Sequence, residues 1–415
     1  MIMENLFNDE AMALDTYIMV KLKEKTAQLS DTLAKKNRSP ISLSMGAPTA
    51  NPPAVLIEKL KEYLTEDNIH LYSVTRGEPY YRQAVAQRME ERFGVKLDHD
   101  SEVFSLLGSK DGLANLIRFI INPKKEENEK DIILIPDPGY ASYSQMVKCS
   151  GGTAYSIPLT KENNYQPKME DVFEQLIADG YDENKVKAII INYPNNPLGV
   201  SATREYLQSV VEFCRKKDIL LISDAAYCDI YFKEEDKPMS VLEFPNAKEV
   251  TVELYTLSKP YAITGWRLGW MCGNKDVISR FAKAKSTIDN GIFRALQKAC
   301  AYIMTSPEGD DYIRQSNLGY KKKQAIFVKG LRELGWEIED KDLPKTTFYL
   351  WLPIPRKYDS SFKFCEDLLE KSGVVVVPGD AFGTYGKGYF RVSFVCSDEK
   401  LQEVIDRMKA DGFRY

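Results

Sequence analysis

The residues best suited to chemistry lie together in Thr256-Leu257-Ser258-Lys259 and, shortly after, Gly265-Trp266-Arg267-Leu268-Gly269. A lysine in a poorly hydrated setting loses basicity, because desolvation disfavours the ammonium form. The neutral amine then attacks a carbonyl carbon and forms a Schiff base. Thr256, Ser258 and Arg267 are donors suited to an anion, and glycines on either side of Arg267 let backbone approach a ligand closely. One short stretch therefore offers an amine for an aldehyde and an arginine with hydroxyls for a phosphate. That pair of needs describes a pyridoxal-phosphate site.

Three other stretches carry suitable groups. Asp224 closes the run Ile219-Leu220-Leu221-Ile222-Ser223 and precedes Ala225-Ala226-Tyr227. A carboxylate there pairs with a protonated ring nitrogen, and Tyr227 donates to a ring oxygen. Asn192-Tyr193-Pro194-Asn195-Asn196-Pro197-Leu198-Gly199 is dense turn sequence that offers the amide of Asn196. Gly108-Ser109-Lys110 opens a helix and turns backbone N–H groups and a hydroxyl toward an anion. Each has an ordinary reading too: a strand-end aspartate capping a turn, an Asn-Pro turn, a plain glycine turn.

The elements that position these groups follow from periodicity. Strand-like runs at 103–107, 131–136, 153–158, 186–192, 219–223, 250–257 and 268–272 alternate with helical patterns at 109–121, from 139 onward, at 168–178 and at 203–216. Such alternation implies an α/β fold with a mainly parallel sheet covered on both faces. Ligands in such sheets sit beyond the carboxyl ends of the strands. Five of these strand ends carry the polar runs 108–110, 137–140, 192–199, 224–227 and 256–259, so all face one crevice. Before this region come a helical segment at 8–34, a short strand at 41–48 and helices at 55–64 and 80–93. After it the pattern changes to helices at 277–286 and 310–334, then 347–352, 361–372, 374–378, 389–395 and a helix from 398. The expected division is a large domain at 49–290 and a smaller α+β domain from 1–48 and 291–415.

Composition narrows the function. The 415 residues are 44% hydrophobic and 28% charged with a net charge of −4, the balance of an ordinary soluble globular protein without an electrostatic footprint for nucleic acid. Charged patches at 124–130 and 321–323 read as solvated faces. Seven scattered cysteines form no Cys-x-x-Cys pair and suggest neither zinc nor disulfides. With no membrane-length apolar run and no signal pattern at the start, the expected location is the cytoplasm. Only two histidines, His70 and His99, are present, both expected in surface loops, which argues against a Ser-His-Asp hydrolase.

Taken together, Ser258-Lys259 with Gly265-x-Arg267-x-Gly269, Pro194-Asn195-Asn196-Pro197-x-Gly199 and Asp224-x-x-Tyr227 resemble the class I/II aminotransferases, pyridoxal-phosphate enzymes of fold type I. The resemblance runs from Gly46 to Arg391. It implies that Lys259 is the Schiff-base lysine and general base, and that Arg267, Ser109 and the backbone at Gly108 and Lys110 hold the phosphate, with Thr256 or Ser258 adding a hydroxyl. Tyr140 would stack on the ring, and Asn196, Asp224 and Tyr227 would be the ring ligands. Arg391 would take the substrate α-carboxylate beside Gly46. Tyr72 would reach the phosphate of a neighbouring subunit, making a homodimer.

Within the family, 108–114, 288–293 and Pro136-Asp137-Pro138-Gly139-Tyr140 look most like a subgroup that includes LL-diaminopimelate aminotransferases. The implied reaction is ping-pong transfer between an L-amino acid, LL-diaminopimelate first, and a 2-oxo acid such as 2-oxoglutarate. Aspartate, alanine or methionine as donor, and carbon–sulfur lyase chemistry on the same fold, remain alternatives. For a distal charge on the substrate the candidates are Arg294, Lys110, Arg76 and Arg38.

Overall fold

A computed structural model describes residues 9–14, 16–124 and 126–415. Asn8, where the first helix was expected to begin, and Lys125 in the 124–130 patch lie outside the described residues.

The centre is a seven-stranded sheet. Read across it, the strands are Val103–Leu106, Gly269–Gly273, Thr251–Thr256, Leu220–Asp224, Val186–Ile191, Ile132–Asp137 and Thr153–Pro158. Gly269–Gly273 runs antiparallel to both its neighbours, and every other pairing is parallel. The central strands are buried on both faces, which is why they read as unbroken runs such as Ile-Ile-Leu-Ile. Alternate residues go opposite ways: Ile133 and Ile135 pack with helices Ser109–Ile120, Ser142–Cys149 and Lys275–Lys285. Ile132 and Leu134 pack with Met169–Ala178 and Arg204–Lys217.

A separate core lies under a three-stranded antiparallel sheet, Val377–Pro378, Tyr389–Ser393 and Tyr349–Pro353, with helices Pro307–Glu333, Ser361–Ser372 and Asp398–Ala410. The start of the chain joins this part. Ile41–Ser42 pairs in parallel with Val374–Val375, and the Ser393 amide donates to the Leu43 carbonyl at 2.8 Å.

Three departures from the periodic reading stand out. Helix Arg294–Met304 was not expected. Its buried residues are Ala295, Gln297, Ala299, Cys300, Ala301, Ile303 and Met304, and no side chain caps its start, so no cap marks where it begins. The apolar run 374–378 is two strands belonging to two different sheets. The N-terminal helical segment is broken into Asp9–Met12 and Ile18–Ala34.

Candidate active site

Beyond the carboxyl ends of the parallel strands lies a cleft of about 340 Å³. Its lining includes Lys259, Asp224, Tyr227, Asn196, Tyr140, Ser109, Lys110, Thr256, Ser258, Arg267, Gly46 and Arg391. Residues far apart in sequence meet here because each follows a parallel strand of one sheet, precedes its antiparallel strand Gly269–Gly273 at the same end, or comes from the smaller core.

The anion end is built at Gly108. Its φ of +81° turns the strand Val103–Leu106 into helix Ser109–Ile120, whose N-terminus carries no side-chain cap. The first-turn N–H groups are thereby left for a ligand, with the helix dipole favouring negative charge. A side chain at Gly108 would lie 2.4 Å from Arg267 Nη2, so glycine lets the guanidinium close over the turn. Arg267 has a left-handed backbone, φ +54°, and is fixed by donating to the Thr264 carbonyl at 2.9 Å, the Leu107 carbonyl at 3.2 Å and Ser258 Oγ at 3.3 Å. Thr256 Oγ1 donates to Ser258 Oγ at 3.0 Å, bringing both hydroxyls to the same end.

At the other end Asp224 is buried. Its Oδ2 accepts from the Tyr143 hydroxyl at 2.7 Å, while Oδ1 has no hydrogen-bond partner. Burial pushes this carboxyl up to about 6, partly offset by the Tyr143 hydrogen bond. Asn192 ties the neighbouring strand end to it. The Asn192 amide donates to the Asp224 carbonyl at 2.7 Å, and its Oδ1 accepts from the Asn196 backbone N–H at 2.9 Å.

Lys259 stands between the two ends. Desolvation first, then the charges of Arg391 and Arg267, lower its ammonium to about 8. Its amine donates to the Gly46 carbonyl. Arg391, buried, donates from Nη1 to Asn196 Oδ1 at 2.7 Å and from Nη2 to the Ser44 carbonyl at 2.6 Å, leaving Nε unpartnered. The first of these bonds uses the amide oxygen of Asn196 and frees its nitrogen to donate elsewhere. Four cations, Lys110, Lys259, Arg267 and Arg391, line the cleft with one acid, Asp224. A protein of net charge −4 thus concentrates positive charge where a ligand with two separate anionic groups would sit.

Among the four candidates for a distal substrate charge, only Lys110 lines the cleft. Arg38 pairs with Asp411, Arg76 donates to the Asp100 carbonyl, and Arg294 pairs with Glu78 at 3.1 Å. Tyr72 is 81% exposed and does not line the cleft of its own chain. The next helix begins at Ser142, two residues beyond Tyr140. Sequence reasoning missed Tyr17, Tyr143, Asn192 and Tyr349, which also line the cleft. Tyr143 and Tyr349 sit at helix and strand positions that read as core, and Asn192 reads as turn. Tyr17 lies just before helix Ile18–Ala34, with the Lys110 ammonium 5.3 Å from its ring centre.

The family model for aminotransferases of class I and II matches residues 38–408. The chain belongs to that family. An LL-diaminopimelate aminotransferase from Moorella thermoacetica is 39% identical over 95% of this chain and 96% of its own. One from Halothermothrix orenii is 36% identical over the full length of both. Among solved structures, substrate-bound BacF from Bacillus subtilis superposes with a TM-score of 0.88, at 30% identity and 97% coverage of both chains.

This aminotransferase uses pyridoxal phosphate, and the cleft fits that group. An unpartnered buried carboxylate oxygen suits a protonated ring nitrogen, an uncapped helix start with an arginine suits a phosphate, and an amine of lowered basicity suits the aldehyde. Among the described residues no cluster of His, Cys, Asp and Glu could hold a metal ion, and no helix is long and apolar enough to cross a membrane.

Proposed function

We propose that the aminotransferase takes LL-diaminopimelate as its amino donor and passes the amino group to a 2-oxo acid such as 2-oxoglutarate, in two ping-pong halves. The observation carrying the donor is that relatives named for this activity match at 35–39% identity over most of both chains. Lys110 in the cleft gives a second carboxylate a cation to meet.

When bound, pyridoxal phosphate supplies a carbonyl carbon for the amino group and a ring that draws electrons from the substrate α-carbon. Lys259 would hold the cofactor through its carbonyl carbon, and its free amine would move the proton of the substrate α-carbon, a role suited to a group near 8. Asp224, through its unpartnered Oδ1, would hold the ring nitrogen and favour its protonated form. Asn196 and Tyr227 would donate to the ring oxygen, and Tyr140 would stack on the ring. Arg267, Ser109 and the backbone at Gly108 and Lys110 would hold the phosphate, with Thr256 or Ser258 adding a hydroxyl, and Gly46 would border the substrate. Arg391 orients the α-carboxylate, its guanidinium already aimed by Asn196 and Ser44.

The working unit is a homodimer in the cytoplasm. Leu71, Tyr72, Val74, Ile288 and Phe293 are exposed apolar side chains on two neighbouring loops, with His70 stacked on Phe293 at 5.9 Å. A patch of this kind suits a second copy of the chain, whose phosphate Tyr72 would reach. Seven unpaired thiols are in keeping with a reducing compartment.

The deciding experiment is an absorbance titration of loaded enzyme with LL-diaminopimelate, L-aspartate, L-alanine and L-methionine separately. Conversion to the amine form of the cofactor at far lower LL-diaminopimelate than any other donor supports the reading. Conversion by the others alone overturns the donor. Release of pyruvate and a thiol from a sulfur-bearing amino acid, with no amine form accumulating, would make the enzyme a lyase.

A further inference from the structure

Tyr349 is fully buried on the strand Tyr349–Pro353 of the smaller core, yet its side chain lines the cleft. Three contacts meet there. Its hydroxyl lies 2.8 Å from the Tyr227 hydroxyl, with the two rings edge to face and centroids 5.5 Å apart. The Arg391 guanidinium carbon lies 4.4 Å from its ring centre. A side chain at Gly46 would fall 2.4 Å from its hydroxyl oxygen, so the glycine is small there because Tyr349 occupies the space.

A buried core tyrosine needs only one partner for its hydroxyl. This one is placed where the group that would meet the ring oxygen of the cofactor adjoins the group that would meet the substrate carboxylate. We propose that Tyr349 is a positioning residue with two separable duties: its hydroxyl polarises Tyr227, and its ring seats Arg391. The inference rests on the roles given above to Tyr227 and Arg391 and adds what sets them.

The hydroxyl duty follows from proton bookkeeping. A tyrosine hydroxyl has one proton to give. If Tyr227 gives its proton to the cofactor's ring oxygen, the short contact with Tyr349 is satisfied only when Tyr349 donates to the Tyr227 oxygen. A donor that is itself accepting a hydrogen bond donates more strongly. Tyr349 therefore strengthens the hold of Tyr227 on negative charge at the ring oxygen. The ring duty is electrostatic. A guanidinium over an aromatic face is held by the ring quadrupole, more strongly when water is excluded. Arg391 already uses Nη1 and Nη2 on Asn196 and Ser44, so Tyr349, the nearer of the two rings against it (Phe382 is the other, at 4.8 Å), helps fix the plane in which its remaining donors meet a carboxylate.

The two duties separate by substitution. Tyr349→Phe keeps the ring and removes the hydroxyl, and Tyr349→Leu removes both. The readouts are the pH midpoint of the absorbance change of the loaded, substrate-free enzyme, and the KM for the amino acid. Stabilising the ring-oxygen anion lowers that midpoint, so Tyr349→Phe raises it by about half a pH unit while changing KM less than about twofold. Tyr349→Leu raises the midpoint similarly and in addition raises KM about fivefold to tenfold. Tyr227→Phe is the reference and raises the midpoint more than either. If Tyr227→Phe leaves the midpoint in place, the assignment of Tyr227 fails. If Tyr227→Phe moves it and Tyr349→Phe does not, Tyr227 stands and the coupling through Tyr349 is wrong. If Phe and Leu raise KM equally, the ring has no part in seating Arg391.

Discussion

The two walls of the cleft are built differently. The wall assigned to the cofactor is made from successive strand ends of one sheet, where Asn192 bonds the end of one strand to Asp224 on the next. The wall assigned to the substrate is gathered from three segments distant in sequence, at Ser44 to Gly46, Tyr349 and Arg391. Strand pairing carries the last two as well, with Tyr349 opposite Ser393 and Arg391 opposite Trp351, but the guanidinium is aimed by two hydrogen bonds and the faces of the Tyr349 and Phe382 rings. In the first wall the reactive groups follow directly from strand ends. In the second the aim of one side chain depends on a few others, so it is open to change by substitution. An arrangement of this kind keeps the reaction constant while the substrate varies.

Removing a group from each wall tests that contrast. The largest effect belongs to Lys259→Ala, which should reduce turnover by roughly 10⁴-fold. The absorbance band of the lysine-bound cofactor should vanish with it. A variant keeping both band and turnover would show that another amine does the work. Arg391→Leu should raise the amino-acid KM about a hundredfold, because a buried charge-assisted contact to carboxylate is lost. Cofactor retention, read by dialysis and absorbance, should hardly change. Equal loss of both would mean that the walls are not independent.

Asp224→Asn gives a smaller effect with a defined sign. Burial raises the folded carboxyl to about 6, above its unfolded value, so the folded protein holds more protons than the unfolded chain between the two values. Stability of the cofactor-free protein therefore falls as pH rises through that window, and the penalty is complete above it. Replacing the acid should stabilise cofactor-free protein at about pH 8 by about 2–3 kcal/mol, with the gain fading toward pH 4. Denaturant unfolding at the two pH values checks this, and a gain independent of pH would point to packing instead. Smallest is Asn192→Leu, expected to weaken cofactor retention about tenfold by leaving the Asn196 N–H unpaired. An unchanged dissociation rate would mean that strand pairing alone holds the wall.

The same contrast explains what the sequence made legible. The central strands announce themselves as apolar runs, and the chemistry-bearing residues follow them directly, so Asp224, Asn196 and Lys259 could be placed in one crevice before any fold was known. Helix Ser361–Ser372 has sharp limits, a serine cap at Ser360 and a left-handed Gly373, and was read to the residue. Helix Arg294–Met304 has no side-chain cap to mark its start, and went unread. Tyr349 lies in a strand-like run, where nothing local distinguishes a core tyrosine from one that touches a site. Arg38, Arg76 and Arg294 show the reverse: a basic residue near a motif is satisfied by whichever acid or carbonyl the fold brings closest. Arg391 could be named through the family resemblance, but its partners at Ser44 and Asn196 depend on tertiary closure.

The pairing of Ile41–Ser42 with Val374–Val375 also bears on how the protein is made. Ile41 lies opposite Val374, 333 positions further along. The ribosome must deliver those residues before this strand finds its neighbour, while the last strand of the central sheet is complete at Gly273. Contacts of such long range close slowly, and an unpaired edge is exposed to other chains in the interval. The wall that meets the substrate is therefore finished after the central sheet during synthesis, and the early strand needs protection from aggregation until Val375 has been made.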